Sequence, residues 1–173
     1  MTFVLPAQRH IPGSASVPDR DPLDAVKALT PPRVTSDAWG RVPAYTYGLH
    51  LHAHGYFWEA HEVWEPVWLA TAPNSRERHL LAALIQLANA CLKLEMAQPK
   101  AALRLLQASH EHLAECRGPP DSTLLGLNPS ALSEDISAFA RQVGAFGAER
   151  DLAAIIAERP KPAVDSNHST GVA

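Results

Sequence analysis

Apolar side chains in this 173-residue chain recur every three or four positions, which restricts the chain to helical folds. The central example is a run in which the spacings are four, three and four residues, at Phe57, His61, Trp64 and Trp68. At a helical period of about 3.6 residues these side chains share one face. No segment alternates apolar and polar residues as a half-buried strand would. The sequence therefore predicts an all-α fold.

The predicted architecture is a compact bundle of four to five main helices joined by short turns and helical hairpins. Gly55 separates two of these helices, and Pro66 lies inside the second, where the missing N–H favours a kink. Asn74 and Glu77 have the spacing of a capping box. The predicted helical segments are 21–29, 44–54, 56–71, 75–97, 99–116, 128–144 and 151–157.

The distribution of proline divides the chain into three parts. Residues 1–43 contain seven of the fifteen prolines, so we expect an irregular N-terminal arm with one short helix, lying over the domain or over a partner subunit. Residues 44–158 are expected to form a single helical domain. Residues 159–173 have the composition of a flexible tail.

Composition narrows the classes of function. An apolar content of 46% is enough for one core. The net charge of −3 comes without any basic cluster, which argues against nucleic acid and anionic membranes as partners. The longest apolar run, 80–92, is too short to cross a bilayer, and no signal-peptide pattern begins the chain. We expect a soluble, cytoplasmic homo-oligomer, with Cys91 and Cys116 reduced.

The candidate site lies on the helix around Ala60. His61 and Glu65 are one helical turn apart, and Glu62 follows His61 directly. Three interpretations remain open. The first is a divalent-metal or small-ligand site on His61 and Glu65, as in a metal-dependent hydrolase, with further donors from Glu62, His50, His54, His79 or His110.

The second interpretation is metal-free acid/base catalysis. Its candidate residues are His61, Glu62 and Glu65, in a pocket lined by Trp64 and Trp68. Whether the protein is an enzyme is left open by the sequence, because no nucleophile with a recognisable context accompanies the histidine.

The third interpretation is structural, and the sequence favours it. Gln86 and Asn89, three residues apart on a nearly all-apolar helix, need hydrogen bonds inside the protein. We therefore expect them to meet His61 and Glu65 in a polar network that fixes how two helices pack, in a protein acting through an interaction surface. Trp58 points away from the apolar stripe and is the candidate for that surface.

These residues also resemble a known family. The pattern is Tyr56-Phe57-x-Glu59-Ala60-His61-Glu62-x-x-Glu65-x-x-Trp68, then Arg76-x-Arg78 and Leu84-Ile85-Gln86-Leu87-Ala88. It resembles the bacterial and archaeal domain of unknown function 309 family over roughly residues 45–140. The resemblance implies a compact all-helical fold with a polar motif at His61, Glu62, Glu65, Trp68 and Gln86, and it supplies no reaction. Pro66 and the long N-terminal extension depart from a typical member.

Overall fold

The computed structural model describes residues 3–116, 118–119, 121–145 and 151–164. Within these ranges the chain is all-α, as predicted, and contains no strand; Leu124 and Leu127 form an isolated β-bridge. The α-helices are α1 Asp21–Lys27, α2 Pro43–Ala53, α3 Phe57–Leu69, α4 Arg76–Glu95, α5 Pro99–Ala114, α6 Pro129–Gly144 and α7 Leu152–Ala157, and Trp39–Arg41 form a 3-10 helix.

Helix α4 lies at the centre of the structure and packs against α3, α5 and α7. Half of its twenty residues are buried, because apolar side chains occur almost all round the helix between Leu80 and Leu92. Ser109 of α5 adds a buried hydrogen bond, donating from Oγ to the Ala83 carbonyl over 2.7 Å. Helices α3, α5 and α7 are therefore positioned directly on α4, whereas α2 packs on α3 and α6 packs on α5.

Helices α2 and α3 form a corner that turns at Gly55. Its φ of 84° lies in the left-handed region, which glycine adopts without a steric penalty. At the other point of close approach, a Cβ on Gly48 of α2 would collide with the indole of Trp64. The fully buried Trp64 donates from Nε1 to the Tyr45 carbonyl at 3.1 Å. This contact holds the two helices together at the corner.

The described N-terminal residues 3–20 lie along the outer side of this corner. The Tyr47 hydroxyl donates to the Val4 carbonyl at 2.7 Å and the Tyr56 hydroxyl to the Pro6 carbonyl at 3.1 Å. The backbone N–H of His10 donates to Glu59 Oε1 at 2.7 Å. Trp58 packs edge-on against the His10 ring. Trp58 is thus half-buried, and the expectation that it forms an exposed contact surface is wrong.

The predicted helix limits differ from the observed ones mainly at the caps. The predicted cap Asp21 is the first residue of α1, and Arg20 is the cap, without a side-chain hydrogen bond. At α4 the cap is Ser75, whose Oγ accepts from the Arg78 N–H, while Asn74 has a φ of 57°. Pro66 lies inside α3, as the sequence predicts, and the helix continues to Leu69.

Arg159, which follows α7, adds a further side chain to the α2–α3 corner. Arg159 Nη2 donates to the carbonyls of His52 at 3.1 Å and Ala53 at 2.7 Å. The predicted tail 159–173 falls outside the described residues from 165 onward. In the described part of the chain, no helix combines the length and apolarity needed to cross a membrane.

Candidate functional site

A pocket of about 380 Å³ lies between α3, α4 and α5. It contains His61 and Glu65, two of the three residues proposed as catalytic. It also contains residues that the sequence did not predict for the site. Its lining residues are His61, Glu65, Trp68, Asn74, Arg78, His79, Ala82, Ile85, Gln86, Asn89 and His112. Along α4, polar side chains line both ends of the pocket, and Ala82 and Ile85 line its apolar middle.

His61 and Asn89 form the hydrogen bond that joins the α3 and α4 sides of the pocket. His61 Nδ1 donates to Asn89 Oδ1 at 2.8 Å, because an amide oxygen has no proton to give. The predicted meeting of these two polar faces is present. In the neutral ring Nε2 is then the acceptor, and no residue in the described ranges bonds to it.

Gln86 lines the same part of the pocket one turn earlier on α4. Its Oε1 is buried and has no hydrogen-bond partner among the residues described. The prediction that this amide is satisfied inside the protein is therefore not met. Leaving a buried acceptor without a donor generally costs about 1 to 3 kcal/mol.

Arg78 and Trp68 form one wall. The guanidinium lies over the indole with Cζ 4.0 Å from the ring centroid. Arg78 Nη1 also donates to the carbonyls of Trp68 and Thr71, each at 3.2 Å, at the C-terminal end of α3. A cation placed there is stabilised by the aromatic face and by the negative end of the helix dipole. Both side chains are thereby fixed in orientation.

His79 and His112 close the end of the pocket beside Arg78. Their Nδ1 atoms are 3.2 Å apart, so one imidazole donates to the other. Burial lowers the pKa of His112, and the neighbouring His79 acts in the same direction. Burial therefore favours the uncharged imidazole of His112 in this pair.

Several residues predicted for the site lie outside this pocket. Glu62 faces α1, where its Oε2 accepts from Lys27 Nζ at 3.2 Å. Trp64 is in the core, packed into the α2–α3 corner. His54 is exposed at the end of α2, where its Nδ1 donates to the His50 carbonyl at 2.8 Å. The structure thus brings together His61, Glu65, Trp68, Gln86 and Asn89 without Glu62, Trp64 or His54.

Two titratable residues of the pocket, Arg78 and His112, were not predicted for the site. Arg78 occurs in the family-like pattern at Arg76-x-Arg78, and it lies eight and eleven residues before two predicted site residues, Gln86 and Asn89, on the same helix face. That spacing is a signal from which Arg78 could have been placed. His112 comes from α5, and only the packing of α5 on α4 brings it to the site.

The arrangement of donors bears on the metal interpretation. No group of three or more histidine, cysteine, aspartate or glutamate side chains in the described residues is arranged to hold a metal ion. His61 and Glu65 are both in the pocket, but His54 and Glu62 are not there to add donors. What the pocket offers is a set of hydrogen-bonding groups around an apolar centre, which suits an organic molecule.

The part of the chain that forms most of the pocket matches the model of a known protein family. The model of the family described as Domain of unknown function (DUF309) matches residues 45–105. Residues 45–105 are therefore similar to the DUF309 family. The resemblance seen in the sequence is confirmed over these residues, which run from α2 into α5. The matched DUF309 segment contains every pocket residue except His112. Comparisons with curated proteins and with solved structures gave no match.

Proposed function

We propose that this protein binds a small organic molecule in the pocket between α3, α4 and α5. The observation that carries the proposal is the pocket of about 380 Å³ itself, in which polar side chains from three helices surround an apolar centre. Such a lining is typical of sites for small organic molecules. A ligand with a hydroxyl or N–H group would find acceptors in His61 and Glu65.

The chemistry of the pocket supports binding more than catalysis. His61 Nε2 offers a hydrogen-bond acceptor, and Nδ1 is held by Asn89. Trp68 offers an aromatic wall whose orientation is fixed by Arg78. The volume lies within the range of small-molecule sites, roughly 300 to 1,000 Å³. No serine or cysteine occurs among the lining residues, so the described pocket has no such nucleophile.

The structural alternative rests on the hydrogen bond between His61 and Asn89. A bond of 2.8 Å between half-buried side chains of α3 and α4 supports a role in fixing helix packing. That role would explain His61 and Asn89. It would not need Arg78 and His79 to share a cavity with them.

Filling the pocket tests the proposal. We expect saturation-transfer NMR on the full chain to detect binding of octanoate or octan-1-ol, and Ala82→Leu to abolish it, because Ala82 is in the apolar middle of the pocket. Ala101→Leu, at a half-buried position on α5 away from the pocket, is the matched control and should bind normally. If neither probe binds while His61→Ala lowers the free energy of unfolding, the site serves packing alone.

A further inference from the structure

We infer that the ligand is an organic carboxylate whose charged group lies against Arg78 and whose apolar body extends along α4 toward Gln86. This inference rests on the proposed function and adds the chemical class and the orientation of the ligand. Its basis is the environment of the Arg78 guanidinium, together with the distribution of charge and the length of the pocket.

The guanidinium of Arg78 is held in place without a counter-ion. Stacking on Trp68 and the two hydrogen bonds from Nη1 fix its plane. No carboxylate of the described residues lies within 4.0 Å of it. The bonds that hold it use Nη1, so Nη2 and Nε are left without a partner in the described part of the chain. A planar pair of N–H donors is the geometry that a carboxylate accepts in a bidentate manner.

The charges around the pocket favour an anion at this end. Arg78 and His79 are in the first turn of α4, where the positive end of the helix dipole favours negative charge. His79 and His112 add imidazole groups to the same end. Glu65 is the one carboxylate among the described lining residues, and its side chain is exposed to water. A carboxylate at this end would form an ion pair with Arg78, which neither a neutral nor a cationic ligand could do.

The pocket is longer than a simple inorganic anion requires. From His79 to Asn89 the lining follows ten residues of α4, about 15 Å at 1.5 Å per residue. Ala82 and Ile85 line the middle, where they would contact an apolar chain or ring. The far end is lined by His61 and Asn89, whose polar side chains suit a hydrogen-bonding group on the distal end of the ligand.

Three probes that differ only in their polar group test the inference: octanoate, octan-1-ol and octylammonium. Isothermal titration calorimetry on the full chain at neutral pH should give octanoate an affinity at least about tenfold above that of octan-1-ol, as expected for a charge-assisted hydrogen bond. Octylammonium should bind more weakly than octan-1-ol. Ala82→Leu should remove binding of all three probes.

Variants of Arg78 separate its effect on the ligand from its effect on the fold. Arg78→Gln should lower the affinity for octanoate to that for octan-1-ol while leaving octan-1-ol within about twofold, and Arg78→Lys should give an intermediate preference. Arg104→Gln, an exposed position on α5, is the control and should keep the preference.

The outcomes distinguish the two conclusions. Equal affinity of the wild type for octanoate and octan-1-ol, or a preference that survives in Arg78→Gln, would overturn the carboxylate and leave the binding pocket standing. If Arg78→Gln does not fold, Arg78→Lys becomes the deciding variant. An unchanged preference of Arg78→Lys for octanoate over octan-1-ol would also refute bidentate recognition. If none of the three probes binds, both conclusions are wrong.

Discussion

His52 is the most unusual single residue in the core. It is fully buried between Phe57 and Trp64, with ring centroids 5.4 Å and 6.1 Å away. Neither ring nitrogen has a hydrogen-bond partner in the described part of the chain. Burial, with smaller effects of Arg159 and Lys161, lowers the pKa of His52 to about 3. The folded protein therefore keeps this imidazole neutral under conditions in which an unfolded chain would protonate it.

The lowered pKa predicts a loss of stability in acid. Between a pH of about 6.5 and about 3 the unfolded chain binds a proton at His52 and the folded chain does not, so stability is complete above this range and falls as the pH decreases through it. From pH 7 to pH 5 we expect the free energy of unfolding to fall by about 2 kcal/mol through this residue. Urea denaturation at the two pH values measures it.

His52→Leu should remove that part of the pH dependence, because leucine has no proton to bind. His54→Leu, at an exposed position on the same helix, is the matched control and should keep it. An equal fall from pH 7 to pH 5 in wild type and His52→Leu would show that burial of His52 does not set the acid limit.

Polar and aromatic side chains lie on two sides of α3, and the sequence alone does not show which of them share a site. One side contains the pocket residues His61, Glu65 and Trp68. The other contains Trp58 and Glu59, which the N-terminal residues 3–20 cover. Burial raises the pKa of Glu59, and the His10 N–H is the main effect acting against it. Polar residues on α3 therefore belong to two separate environments.

The N-terminal residues contribute to stability through these contacts. Removing residues 3–10 would take away partners of Tyr47, Tyr56 and Glu59, together with the ion pair of Arg9 and Glu95 at 2.7 Å. At about 0.5 to 1.5 kcal/mol for each hydrogen bond, we expect the free energy of unfolding to fall by about 2 to 4 kcal/mol. Urea denaturation would measure the loss, and the fluorescence of Trp58 should shift to the red.

A substitution in the same segment that breaks none of these contacts provides the control for this deletion. Val17 is 70% exposed, and Val17→Ser should leave the denaturation midpoint unchanged. If the shortened chain unfolds at the same midpoint as the full chain, residues 3–10 do not stabilise the α2–α3 corner.

Helix limits could be predicted closely because they depend on local chemistry. Pro43, Pro99 and Pro129 begin helices where a missing N–H costs nothing, and Gly55 supplies the left-handed turn after α2. The cap of α4 was misplaced by one residue, because Asn74 satisfies the sequence pattern but adopts a positive φ. Choosing between Asn74 and Ser75 requires the backbone path of the preceding turn.

At the scale of the whole molecule, the all-α class and the central position of α4 follow from the sequence, but the composition of the pocket follows only in part. His61 and Asn89 could be paired because both are polar residues on apolar faces that need partners. Trp64 was assigned to the pocket on helical spacing alone, and the core accommodates it through the space at Gly48. His112 is close to His79 only because α5 packs on α4.

The central position of α4 predicts that the described helices unfold together. Leu84 is fully buried on α4, and Leu84→Ala should lower the free energy of unfolding by about 2 to 5 kcal/mol, because a cavity forms in the layer that α3 and α5 share. Far-UV circular dichroism reports all helices, and tryptophan fluorescence reports α3 and the Trp39 region. Both signals should shift by the same amount in urea.

An exposed leucine provides the comparison for this substitution. Leu29 is 52% exposed after α1, so Leu29→Ala should change the free energy of unfolding by less than about 0.5 kcal/mol. Two separate transitions in Leu84→Ala, with fluorescence lost before helicity, would mean that the α2–α3 corner unfolds independently of the α4–α5 layer. The pocket is lined by side chains from α3, α4 and α5. If these helices unfold in a single transition, a ligand bound in the pocket would stabilise the whole molecule rather than one helix.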